Sequence, residues 1–198
     1  MSESNMLKIA ISGKMGSGKT TLANELMHQF NTGYNGQSSM ASLGGAVKKV
    51  AYNYFLMPPN VKDRSLLQQI GQQFRNIKET VWVDLMLNDV QGLKDSTSIE
   101  LCICDDVRFQ NELETLRADG WLTIRLTVDE PEQKRRLESA YADEWTTHWE
   151  HRNEISETDL DNVNNFDMTL HNLELELVPH NASEILELIT SEIWLPQP

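Results

Sequence analysis

The chain has 198 residues, 39% of them hydrophobic, and a formal net charge of −13. That length suits one domain spanning residues 1–198 with a core of useful size, and no apolar run is long enough to cross a bilayer. Residues 1–128 carry 13 acidic and 13 basic side chains, whereas residues 129–198 carry 17 and 4. The surplus therefore sits in the last third as a solubilising surface, and it speaks against polymeric nucleic acid as a partner.

Met1 to Asn5 is polar rather than signal-like, and a cytoplasmic location is expected. Leu7 to Ile11 reads as a strand. Thr20 to Phe30 reads as a helix, with Leu22, Ala23, Leu26, Met27 and Phe30 at helical spacing. Ser38 to Leu43 suggests a second strand ending at Gly44-Gly45, and residues 46–57 a helix stopped by Pro58-Pro59. Residues 63–91 are helical in pattern, as two helices meeting near Glu79. Ile99 to Cys104 is a third strand, 109–119 a helix closed by Gly120, and Trp121 to Val128 a fourth strand. Glu130 to Tyr141 is helical with Pro131 in its first turn, where a missing N–H costs nothing. Residues 142–165 are polar and aperiodic, Phe166 to Leu170 suggests a last strand, and Ser183 to Trp194 a terminal amphipathic helix. Alternating strands and helices predict an α/β fold with a parallel sheet of about five strands. Cys102 and Cys104 lie two apart in an apolar strand, so they read as reduced, buried thiols rather than a disulfide. The histidines show no metal spacing; His148 and His151 lack a third ligand.

Between the first strand and helix stands Gly13-Lys14-Met15-Gly16-Ser17-Gly18-Lys19-Thr20, followed by Thr21. This is G-x-x-x-x-G-K-[ST] in the context that gives it meaning, the signature of a P-loop NTPase fold. Backbone N–H groups and a helix N-terminus there attract an anion. Lys19 is expected at the β/γ-phosphates of ATP and the Thr20 hydroxyl on Mg²⁺. The third strand runs into Asp105-Asp106-Val107-Arg108. Ligands in open parallel sheets bind beyond the strands' carboxyl ends. Asp106 is accordingly expected to manage Mg²⁺ and Arg108 to neutralise a transferring or accepting phosphate. Capping carboxylates would explain an aspartate here, but not a cation at the start of a helix.

Asp106-Val107-Arg108-Phe109-x-Asn111-Glu112 resembles the D-V-R-F-x-N-E segment of deoxynucleoside monophosphate kinases from tailed bacteriophages. Leu67-Gln68-Gln69-Ile70-Gly71 with Arg75 is similar to that family's acceptor segment, and Trp82-Val83 to a W-V pair in the next helix. Ser156-Glu157-Thr158-x-Leu160-Asp161, with Phe166-Asp167 and Asn172, resembles a further signature. These matches run in order from residue 13 to residue 172. The resemblance implies transfer of the ATP γ-phosphate to a deoxynucleoside monophosphate, giving the diphosphate for viral DNA synthesis in the host cytoplasm. It also implies catalytic roles for Lys19, Asp106 and Arg108, with Arg75 and Arg108 clamping the acceptor phosphate. Gln68 and Trp82 would lie near the acceptor base, although a tryptophan at this spacing suits the core equally well. Asn111 and Glu112 would read the base or cap the following helix. An acceptor-binding helical region is expected over about 44–95, where Lys48 could also approach the acceptor phosphate.

Nucleotide kinases close over their phosphates to exclude water. The expected lid is about 130–161, with Arg135, Arg136 and Arg152 as candidates to reach the phosphates; internal pairing with Glu132, Glu138 or Glu150 is the plainer reading of each. Related kinases are often dimers, which leaves a homodimer open here. Other readings are a phosphomevalonate-type or ribonucleotide kinase, or a non-enzymatic nucleotide-binding module. A module has no evident need for Arg75 and Arg108.

Overall fold

A computed structural model describes residues 6–61 and 63–191. The first strand, β1 (Leu7–Gly13), leads through the glycine loop into α1 (Lys19–Gly33). Then come β2 (Ser38–Ala41), α2 (Leu43–Phe55), α3 (Arg64–Ile77), α4 (Val81–Ser96) and β3 (Leu101–Val107). They are followed by α5 (Gln110–Ala118), β4 (Leu122–Thr127), α6 (Glu130–Tyr141), α7 (Trp145–Glu150), α8 (Ile155–Thr158), β5 (Met168–His171) and α9 (Val178–Thr190), with short 3₁₀ turns between. The strands form one parallel sheet in the order β2-β3-β1-β4-β5. No helix among the described residues is long and apolar enough to cross a membrane.

Period-two alternation along the strands divides the core. Ile9, Ile11, Leu101, Ile103, Ile124 and Leu126 pack with α1 and α9 on one face. Ala10, Cys102 and Cys104 face the opposite way, with Met86 and Val90 of α4 and Leu113 and Leu116 of α5. Both thiols are free and buried, and burial pushes that of Cys102 up to about 11. The third cluster, around Trp82, Ile70 and Ala51, lies among α2, α3 and α4. Residues 43–96 are thus a helical excursion between two strands that lie side by side, pairing Ser38 with Leu101 and Ala41 with Cys104.

Several boundaries differ from expectation for physical reasons. Gly44 and Gly45 do not end β2. They form the first turn of α2, whose N-cap Ser42 accepts the Gly45 N–H at 2.9 Å. The third strand continues through Asp105 and Asp106 to Val107, because β1 still offers partners there, pairing Ser12 with Val107 past an irregularity in register. Residues 142–165 are not wholly irregular. They hold α7 and α8, each too short to show a periodicity. The last helix starts at Val178, and the Glu192 to Trp194 part of the expected helix lies outside the described residues.

Candidate functional site

The glycine loop leaves the central strand β1 and turns into α1 with Gly16 at φ 78° and Gly18 at φ 98°. Those left-handed values suit glycine alone at little cost. At Gly13 the need is for space, since a Cβ would lie 2.5 Å from Ser17 Oγ and 2.6 Å from the Leu126 carbonyl oxygen. The Ser17 hydroxyl is buried and has no hydrogen-bond partner. Lys19 folds back over the loop, donating to the carbonyls of Gly13 at 2.6 Å and Lys14 at 2.9 Å. Burial pushes its ammonium down to about 8, with Arg108 adding to the effect and Glu157 opposing it. A lysine in that state gains from a polyanion that restores its charge. Lys14 itself pairs with Asp161 at 2.7 Å.

The two aspartates at the end of β3 point to different tasks, as alternation along a strand requires. Asp105 Oδ2 accepts the Thr20 hydroxyl at 2.7 Å. Asp106, expected beside the loop, instead caps α2: its carboxylate accepts from Leu43 N at 3.0 Å, Gly44 N at 2.9 Å and Ser42 Oγ at 2.9 Å. The carboxylate bonded to the Thr20 hydroxyl, the group expected to meet Mg²⁺, is therefore that of Asp105, and Asp106 holds the start of the excursion in place.

Arg108 follows directly. Its guanidinium is paired with Glu157, whose other oxygen accepts the Met15 N–H of the glycine loop at 2.7 Å. Four residues on, Glu112 is buried and accepts from the backbone of Arg108 at 3.0 Å and Phe109 at 3.1 Å, closing the start of α5. Burial raises the Glu112 carboxyl, while those amides and Arg75 oppose the rise. Arg75 donates to Glu112 at 3.1 Å and lies 4.2 Å from the Phe109 ring centre, its Nε buried without a partner.

Other expected contacts fall within the framework. Trp82 is 1% exposed, donates to the Gly71 carbonyl at 3.0 Å and stacks on Phe74, so it is core. Asn111 donates to the Glu79 carbonyl, tying α5 to the turn before α4. Gln68 lies 3.4 Å from Glu154 on the cleft wall. Arg136 shares Glu132 with Arg135, and also donates to the Leu173 carbonyl at 2.8 Å and reaches the Gly16 and Ser17 carbonyls at 3.4 Å. Arg135 is exposed and faces Glu132 alone. Arg152 lies over the Trp149 ring, donates to the Trp149 carbonyl and stands 3.9 Å from Glu130 at the start of α6.

Sequence reading overlooked Arg125, although a charge in the apolar run Leu122 to Thr127 was a visible signal. It is 7% exposed, donates to Ser12 Oγ at 2.8 Å and pairs with Asp161 at 2.9 Å. Asp161 thereby links β4, through Arg125, to the glycine loop, through Lys14. The loop, the end of β3, the excursion and α6 to α8 surround one cleft of about 1500 Å³. Met15, Gly16, Gly18, Lys19, Thr20, Thr21 and Asp105 line it together with Lys48, Arg64, Gln68, Arg108 and Glu157. No cluster of three or more His, Cys, Asp and Glu suited to a metal occurs among the described residues.

A five-stranded parallel sheet of this order, with a glycine loop between its central strand and first helix, is the α/β fold of the P-loop NTPase kinases. The chain belongs to the AAA domain family, whose profile matches residues 9–170. Among solved structures it is similar to a shikimate kinase from Acinetobacter baumannii in complex with shikimate, at a TM-score of 0.51 and 13% identity over 97% of each chain. It is also similar to a sugar kinase from Janibacter sp. HTCC2649, at 0.56 and 16% over 93% of this chain and 96% of that one. A protein from Thermus thermophilus scores 0.58 at 15% identity, covering 94% of this chain and all of its own. Such identities define a likeness of fold. No curated protein matches the sequence.

Proposed function

We propose that the chain is an ATP-dependent nucleoside monophosphate kinase acting on deoxynucleoside monophosphates, with residues 130–161 as its lid and about 44–95 as its acceptor region. One observation carries the two-substrate reading: a single cleft is lined both by the glycine loop and by the further cations Lys48, Arg64 and Arg108. A nucleotide switch needs the first set of groups but not the second. Ser17 with its unpartnered hydroxyl, the positive-φ glycines and the hydroxyl–carboxylate pair of Thr20 and Asp105 fit Mg²⁺-ATP. Thr20 and Asp105 would hold the ion, which neutralises phosphate charge when bound. Lys19 and the loop amides hold the donor phosphates. Arg108 receives the acceptor phosphate, whose oxygen forms a bond to the γ-phosphorus as the bond to ADP breaks.

The deoxynucleotide assignment is supported by the D-V-R-F-x-N-E and S-E-T-x-L-D resemblances. It is tested by measuring ADP release from ATP with each of the four common deoxynucleoside monophosphates, then with ribonucleotides, phosphomevalonate, shikimate and sugars. Turnover with a deoxynucleotide is expected. Silence with all four and turnover with another acceptor replaces the substrate. Binding of ATP with no acceptor-stimulated turnover replaces the kinase by a binding module. Arg108→Gln is expected to lower turnover more than it weakens ATP binding; equal loss of both would move Arg108 to the donor side.

A further inference from the structure

Glu157 is an acidic side chain, buried and placed among cations, yet the proposed transfer gives it no task. One of its oxygens takes the N–H of Met15, the third residue of the glycine loop, and the other takes the guanidinium of Arg108. Lys19 is close enough for Glu157 to raise its ammonium's affinity for a proton. A loop amide, an arginine on the acceptor side and the loop lysine are the groups that a phosphoryl group in transfer would engage. Lys19 has meanwhile turned to the carbonyls of Gly13 and Lys14, contacts that a bound polyanion would replace.

We propose that the Glu157 carboxylate occupies the seat of the transferring phosphoryl group until the donor arrives, so that nucleotide binding requires Glu157 to leave with α8. This inference rests on the kinase reading for the site's location. It adds that the enzyme carries its own competitor for the phosphates. The carboxylate matches a phosphoryl group in charge sign and in offering two acceptor oxygens, and α8 is only four residues long, attached through flanking turns. Glutamate in the seat also keeps Arg108 from drawing anions into an unloaded cleft. The apparent affinity for donor phosphates is then the intrinsic affinity reduced by the fraction of molecules in which the seat is open.

The test is calorimetric titration of wild type, Glu157→Gln and Glu157→Ala with inorganic tripolyphosphate and with ATP. If nine molecules in ten hold the seat closed, both variants bind tripolyphosphate about tenfold more tightly than wild type. Adenosine, which has no phosphate, separates this from a general loosening, because its binding should not change. ATP hydrolysis without acceptor should also rise in the variants. If Glu157 merely positions Arg108, affinity for tripolyphosphate is unchanged or weaker while turnover falls, and the proposal is overturned. Thermal unfolding verifies that each variant is folded; if the glutamine form is not, the alanine form decides. Tighter tripolyphosphate binding in a protein that phosphorylates no acceptor would keep the occupied seat and overturn the kinase reading alone. Absence of tripolyphosphate binding in all three proteins overturns both.

Discussion

The hydroxyl of Thr20 and the carboxylate of Asp105 meet at 2.7 Å, joining the first turn of α1 to the end of β3. One residue on, Asp106 gathers Ser42, Leu43 and Gly44. The pair separates chemistry from scaffolding. Asp105→Asn is expected to cut turnover by about 10–100-fold and to raise the Mg²⁺ concentration needed, with little loss of stability. Asp106→Asn is expected to lower stability by about 1–3 kcal/mol, because three donors at the start of α2 lose a charged acceptor. Steady-state kinetics over a Mg²⁺ series, beside thermal unfolding, reads both; the reverse pattern would return the metal to Asp106.

Lys19 provides a pH prediction. Its ammonium falls from the ordinary 10.5 to about 8 because of burial, then Arg108. Below pH 8 the lysine is charged in both the folded and unfolded chain. Between 8 and 10.5 the unfolded chain binds more protons, so stability rises with pH relative to Lys19→Met, and it levels off above 10.5. ATP restores the charge, so binding at about pH 8.5 should take up a proton, seen as a dependence of binding heat on buffer ionisation enthalpy. Identical pH slopes in the two proteins would contradict the shift. Lys19→Ala should also abolish transfer with the fold intact.

Trp82 should affect stability rather than substrate affinity. Trp82→Phe leaves the Gly71 carbonyl without its indole donor, at a cost of about 1–3 kcal/mol. The KM for the acceptor should stay within about twofold of wild type, since the ring is enclosed by Phe74 and its neighbours. A large rise in KM with unaltered melting would put the indole against the base after all.

Asp161 is expected to support the loop from behind. Asp161→Asn weakens two ion pairs at once, with Lys14 and with the buried Arg125. A loss of roughly 1–3 kcal/mol in stability is expected, together with a raised KM for ATP. An ATP KM equal to wild type would limit Asp161 to holding the fold.

What sequence made legible follows how local each feature is. The glycine loop could be read because its geometry is set by Gly16, Gly18 and the helix that starts beside them. The α6 boundaries came out as expected because Pro131 and helical spacing are signals within a single turn. Asp105 and Asp106 could not be told apart, since only the register of β3 against β2 brings Asp106 beside Ser42. The resemblance offers Arg75 as an acceptor clamp but does not announce its partner Glu112, which is 37 residues away and meets it only once α3 and α5 have packed. The bridge from Glu157 to Met15 spans 142 residues, so no spacing could announce it.

The helical excursion leaves the sheet after Ala41 and returns at Leu101, on strands that are already neighbours. Its ends are therefore fixed by the sheet, whatever lies between them. On the proposed kinase reading, exchanging residues 43–96 as a cassette would change the acceptor preference, provided the incoming segment still offers backbone amides to Asp106. On that reading the donor groups, on the glycine loop, α1 and Asp105 of β3, lie outside the segment, so an exchange could retune the acceptor while leaving the donor side as it is.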